Sequence, residues 1–196
     1  MYPFTDRLNK VGYLEYEIAL QLGRLSMSIG FIKQKATSLI SELDLVSPPV
    51  DVRSIAESLL LKIVEVHLGN GSDGALIPER REIEVNVDKP HVRQRFTIAH
   101  EIGHWVLRHR DRMYEIDEAP TGIYDNRDDS EVDLEEKSRP PTEREANRFA
   151  AELLMPAEWM KKSWRELNDP DKLAELYDVS REAMWNRIVD LRLLKA

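Results

Sequence analysis

Two histidines four residues apart carry the strongest chemical signal in the sequence. His100 and His104 enclose Glu101 in the pattern His-Glu-x-x-His. If this segment is helical, both imidazoles lie on one face and can bind a single Zn²⁺ at about 2.0–2.1 Å. Glu101 then lies beside that face and can take the proton of a water whose pKa zinc lowers to about 7. The motif therefore predicts a zinc site that hydrolyses a carbonyl substrate.

Such a site needs a third protein ligand, and the segment Thr142–Pro156 offers two carboxylates near its start. Thr142 and Glu145 match a helix capping box, which gives Glu145 a structural role. Glu143 and Asn147 lie four residues apart on another face. We therefore predict that Glu143 is the third ligand and that Asn147 hydrogen-bonds a ligand histidine. Glu145 remains the alternative ligand.

The oxyanion of the reaction also needs a hydrogen-bond donor, and the sequence does not choose one. Three histidines outside the motif are expected mainly on the surface or in packing. The candidates are His67, His91, His109, Tyr114 and Tyr124.

The motif lies in a segment of helical periodicity that predicts a helix over about His91–Arg108. Three short strands are predicted before it, at 62–68, 75–78 and 81–87. Residues 83–87 form either the sheet edge along which a peptide substrate adds as a strand or an ordinary internal strand. The order of helices, strands and helices predicts an α+β fold.

The first 46 residues are predicted to be helical, and their apolar residues follow alternating spacings of four and three from Ile18 to Leu43. This seam favours a helix packed along its own chain. The alternative is a homodimer formed through residues 18–43. Pro48 and Pro49 end the segment.

The C-terminal residues from Asp171 to Leu194 read as a helix–turn–helix, with Ser180 as the N-cap of the second helix. That helix would present only a few bases to DNA, and one acid beside them. Direct DNA binding is therefore not expected. A structural or substrate-docking role fits this module better. The side chains concerned are Arg181, Glu182, Trp185 and Arg187.

The chain has 196 residues, a net charge of −8 and no cysteine, which excludes a disulfide scaffold, a thiolate zinc site and a cysteine nucleophile. Residues 115–136 hold ten acids and one base, so the acidity belongs to one loop, expected at 115–141 and solvated. No apolar run of membrane-spanning length and no signal-peptide pattern are present, so we expect a cytoplasmic protein.

Three segments together resemble the ImmA/IrrE family of metallopeptidases: Arg95–His104, Glu143–Ala150 and Leu153–Pro156. The resemblance covers about residues 48–195 and implies a small gluzincin-like domain, with helices around a small twisted sheet. We expect a zinc peptidase core at 48–156, an extra N-terminal helix within 1–46 and a helix-turn-helix-like module at 157–196.

The same resemblance implies that His100, His104 and a glutamate of the second motif bind Zn²⁺ and that Glu101 is the general base. It also implies a protein substrate, which in this family is typically a helix–turn–helix transcriptional repressor of a phage, mobile-element or stress-response locus. Two other hypotheses remain open. One is a non-catalytic regulatory or antitoxin-type binding protein, and the other is a zinc-dependent hydrolase of non-peptide amides.

Overall fold

The computed structural model describes residues 27–68, 71–109 and 140–194, which form a mixed α+β arrangement. Tyr114, Tyr124 and nearly all of the predicted acidic loop lie outside these residues. Seven helices are described: α1 (Ile29–Glu42), α2 (Val52–Ser58), α3 (His91–Val106), α4 (Pro141–Leu154), α5 (Ala157–Leu167), α6 (Pro170–Tyr177) and α7 (Arg181–Asp190). The strands are β1 (Lys62–Val66), β2 (Gly74–Ile77) and β3 (Glu82–Asn86). None of the described helices is long and apolar enough to cross a membrane.

The described sheet has the order β1-β3-β2, with β3 parallel to β1 and antiparallel to β2. Ile83 of β3 pairs with Ile63 on one side and Leu76 on the other. The hypothesis that residues 83–87 form a sheet edge is therefore wrong. The buried alternation of Ile83 and Val85 indicates which face of β3 is covered, but it does not indicate how many neighbours the strand has.

The central helix α3 covers the sheet and crosses α4 closely. Ile98, Ala99 and Ile102 are buried in the core shared by these elements. A Cβ atom on Gly103 would lie 3.1 Å from Phe149 Cδ1 and 3.3 Å from Ala146 Cα. The absence of a side chain at Gly103 thus lets the two helices approach each other.

Helix α1 begins after Ser28, whose hydroxyl accepts a hydrogen bond from the backbone N–H of Phe31. It packs against α4 and buries Ile32, Ala36 and Leu39, which belong to the predicted seam. These three seam residues are therefore used in the chain's own core, whereas Ile29 of the same seam is 60% exposed. Residues 18–26 lie outside the described residues, and the homodimer stays a prediction.

The C-terminal helices α6 and α7 pack against each other across a turn at residues 178–180. Ser180 caps α7 by accepting a hydrogen bond from the N–H of Ala183. Arg187, one of the four side chains that a DNA-reading helix would present here, is buried and donates to the carbonyl of Met155. Whether residues 157–196 form a separate module stays a prediction.

Candidate metal centre

Two turns of α3 and the first turn of α4 bring three potential ligand side chains together. His100 and His104 follow each other on one face of α3, and their Nε2 atoms lie 2.9 Å apart. Glu143 extends from α4 so that its Oε2 lies 3.2 Å from His100 Nε2 and its Oε1 lies 3.3 Å from His104 Nε2. The helix crossing at Gly103 therefore closes a cluster of two imidazoles and one carboxylate.

These distances fit a small tetrahedral cation. Ligand atoms at about 2.0–2.1 Å from a zinc ion in tetrahedral geometry lie about 3.4 Å apart. The two carboxylate–imidazole distances match this value, and the separation of the two imidazole nitrogens is slightly shorter. Among the described residues, this is the one group of three metal-ligating side chains that converges on a point.

Hydrogen bonds on the far sides of the imidazoles orient both rings. His100 Nδ1 lies 2.9 Å from Asn147 Oδ1, an oxygen that can only accept. The proton of neutral His100 is therefore on Nδ1, which leaves the Nε2 lone pair facing the cluster. His104 Nδ1 similarly lies 2.9 Å from Nδ1 of His109. Asn147 thus contacts His100, and its predicted role beside a ligand histidine stays a prediction.

The side chains of the cluster shift the pKa values of Glu143 and His104. Burial alone would raise the pKa of Glu143, but hydrogen bonds and charge from the protonated forms of His100 and His104 hold that pKa well below its usual range. Burial would lower the pKa of His104, yet its hydrogen bond to Glu143 and the nearby charges of Glu101, Glu143 and Glu145 raise it. The site therefore favours a cation among its side chains.

Glu101 lies beside the cluster and contributes negative charge close to His104. It is only 9% exposed, and no hydrogen bond joins its side chain to another described residue. A carboxylate in a nearly buried position is costly unless it has a partner. This arrangement leaves its oxygens for a water molecule or a substrate in the site.

The residues around this cluster match a known family. Residues 56–189 match the family model described as the IrrE N-terminal-like domain, a peptidase family. The chain belongs to the ImmA/IrrE family of metallopeptidases. The match includes α3, α4 and all the cluster residues, and it begins after α1.

Among solved structures, this ImmA/IrrE-family chain is similar to one described as a Mycobacterium tuberculosis transcriptional regulator, with a TM-score of 0.56 and 15% sequence identity. The alignment covers 80% of this chain and 46% of that one, so this chain spans about half the length of that structure. At this identity the likeness shows a shared fold. No curated protein matches the chain.

In this family member, Glu145 lies outside the metal-ligand cluster formed by the candidate ligands His100, His104 and Glu143. Its carboxylate is 3% exposed, contacts His109 Nε2 at 3.1 Å and accepts the backbone N–H of Met27 at 2.5 Å. The capping-box prediction for Thr142 is wrong, because α4 begins at Pro141 after Pro140 and has no side-chain cap. The N-cap position is Pro140, two residues before Thr142, so Glu145 does not take part in a capping box.

The remaining predicted candidates divide between surface and core. His67 and His91 are exposed and pair with Asp88 and Asp178. His109 was predicted as a surface or packing residue, and it is fully buried against His104 and Glu145. Its contacts with His104 and Glu145 were not predicted from the sequence, because the predicted helix ended before it.

Proposed function

We propose that this protein is a zinc-dependent endopeptidase. In this proposal His100, His104 and Glu143 bind Zn²⁺ and Glu101 is the general base. The observation that carries the proposal is the convergence of the three ligand atoms beside a nearly buried carboxylate that has no described hydrogen-bond partner. Membership in a metallopeptidase family supports it.

Zinc, when bound, would polarise the scissile carbonyl and make a water molecule acidic enough to be deprotonated near neutral pH. Glu101 and Asn147 would have different roles in this reaction. Glu101 takes the proton as the water oxygen bonds to the carbonyl carbon, and returns it to the amide nitrogen as the C–N bond breaks. Asn147 holds His100 with its Nε2 lone pair turned inward.

Elemental analysis tests the ligand assignment. We expect about one zinc per chain in the intact protein and in Glu101→Gln, because Glu101 is not a ligand in this proposal. Glu143→Ala should lose most of the metal, since it removes one of three ligands. Full zinc retention by Glu143→Ala, or failure of the reconstituted intact protein to hold any divalent metal, would overturn the assignment.

Cleavage of a proteome-derived peptide library, analysed by mass spectrometry, tests the reaction. The zinc-loaded protein should generate new peptide termini, and Glu101→Gln should not, although it retains the metal. Equal cleavage by both proteins would remove Glu101 from the mechanism. Zinc binding without any peptide cleavage would favour a non-catalytic binding protein or a hydrolase of other amides.

For the substrate, we propose a partner protein, specifically a helix–turn–helix transcriptional repressor. Resemblance to ImmA/IrrE proteins supports this, and the similar solved structure is described as a transcriptional regulator. Incubation with a lysate of the source cells, followed by identification of new protein termini, should reveal one cleaved repressor that is absent with Glu101→Gln. Cleavage of many unrelated proteins would contradict a dedicated partner.

A further inference from the structure

A buried hydrogen-bonded chain runs outward from the metal-ligand cluster through residues that the proposed reaction does not use. His104 Nδ1 contacts His109 Nδ1 at 2.9 Å, and His109 Nε2 contacts Glu145 Oε2 at 3.1 Å. The other oxygen of Glu145 accepts the backbone N–H of Met27, just before α1. These hydrogen bonds thus join α3, His109 three residues after its end, α4 and the residue two positions before α1.

The donors along this chain can be assigned in one direction. Glu145, as a carboxylate, can only accept, so the neutral imidazole of His109 carries its proton on Nε2. His109 Nδ1 is then an acceptor and requires a proton on Nδ1 of His104. His104 Nε2 is left with its lone pair toward Glu143, which is the tautomer that binds a metal.

Burial supports this assignment. His109 is fully buried and Glu145 is 3% exposed, so bulk water does not compete for either group. The two candidate histidine ligands therefore differ in the hydrogen-bond partner of their Nδ1 atoms. An amide oxygen of Asn147 holds His100, whereas an imidazole backed by a carboxylate holds His104.

We propose that His109 and Glu145 are positioning residues that fix the tautomer and ring orientation of His104 for metal binding. This inference rests on the proposed function, because it assumes that His104 is a ligand. The N–H of Met27 fixes the carboxylate in turn. The start of α1 therefore contributes to the metal site, although the family match begins only at residue 56.

The test compares zinc affinity and the visible spectrum of the Co²⁺-substituted full-length protein. His109→Phe keeps a ring of similar size but removes both hydrogen bonds, whereas a glutamine there can still accept from His104 and donate to Glu145. We expect His109→Phe to bind zinc about 10–100-fold more weakly and to show an altered Co²⁺ spectrum. His109→Gln should restore the affinity to within about threefold of the intact protein.

His67→Gln is the matched control, because His67 is an exposed histidine paired with one aspartate, and it should leave both readouts unchanged. Intact-protein affinity and spectrum in His109→Phe would overturn the inference, and so would a His109→Gln variant as weak as His109→Phe. If His109→Phe does not fold, Glu145→Gln decides: weaker zinc binding supports the inference, and unchanged binding overturns it.

The two proposals fail in distinguishable ways. Failure of the intact protein to bind zinc overturns the proposed function and this inference together, before any variant is compared. Normal zinc binding by the intact protein and by the His109 and Glu145 variants overturns this inference alone.

Discussion

At the scale of single residues, the candidate metal site places one carboxylate next to two imidazoles in a half-buried position, where the neighbouring groups shift the pKa values of Glu143 and His104. Hydrogen bonds and charge from the histidines hold the pKa of Glu143 well below its usual range, which favours its ionised form. The pKa of His104 is raised, because its acidic neighbours outweigh its burial. Protons at His104 are therefore the main competitors of a metal ion.

Zinc affinity should consequently fall on acidification at a higher pH than it would with an ordinary histidine pKa of 6.5. The metal requires neutral His104, and below the raised pKa each pH unit should weaken binding up to about tenfold per displaced proton. Chelator competition between about pH 5.5 and 8.5 measures this dependence. A dissociation constant that is constant across this range would contradict the expected competition.

The local part of the site could be predicted from the sequence, because His100, Glu101 and His104 share one helix and their geometry follows from spacing alone. The preference for Glu143 over Glu145 rested partly on a capping box that does not form. The actual partners of Glu145 are His109 and the N–H of Met27, which lie 36 and 118 residues away in sequence. No helical periodicity contains that information.

At the scale of elements, the site depends on how closely α3 and α4 approach each other. Gly103 faces Ala146, one turn beyond Glu143 in α4. The sequence predicted α3 and α4 well, because long amphipathic helices have a clear periodicity. It did not decide the place of β3, because pairing on both sides of a strand is set by β1 and β2 rather than by the strand's own alternation.

A leucine at position 103 should separate the two helices. Overpacking at such a contact costs about 1–3 kcal/mol, and displacement of α4 carries Glu143 away from the histidines. We expect Gly103→Leu to lower both the free energy of unfolding and the zinc affinity. Urea unfolding of the metal-free protein and chelator competition measure the two effects separately.

Gly30 provides the control, because a Cβ atom there meets no other atom of the described residues within 4 Å. Gly30→Leu should leave zinc affinity unchanged and stabilise α1 by up to about 1 kcal/mol, since leucine is a better helix former. Equal effects of the two substitutions would show that the crossing at Gly103 does not position Glu143.

At the scale of the whole molecule, buried polar contacts connect the C-terminal helices to the helices that carry the site. The guanidinium of Arg187 in α7 donates two hydrogen bonds to Glu152 of α4, at 3.1 and 2.6 Å. Arg95 of α3 donates to the carbonyl of Asp178, in the turn between α6 and α7. The sequence predicted a helix-turn-helix-like module at 157–196, and these contacts connect its helices directly to α3 and α4.

Removal of the buried cation should destabilise the fold strongly. The side chain of Arg187 is 1% exposed and that of Glu152 is 6% exposed, so Arg187→Met leaves a buried carboxylate without its main counter-charge. Breaking such a pair from one side costs about 3–5 kcal/mol. Arg181→Met, which breaks the exposed pair with Asp171, should cost less than about 1 kcal/mol.

The double variant Arg187→Met/Glu152→Leu separates charge from packing. If the penalty comes from the stranded carboxylate, replacing Glu152 as well should recover most of the lost stability, because an apolar pair of similar volume often matches a buried ion pair. Urea unfolding in the absence of metal gives the free energy of unfolding of the intact protein, the two single variants and the double variant without a contribution from bound zinc. A double variant as unstable as Arg187→Met would instead assign the loss to the other two partners of Arg187, the Met155 carbonyl and the Asp190 carboxylate. That result would make these two contacts, rather than the ion pair with Glu152, the ones through which Arg187 supports the fold around the site.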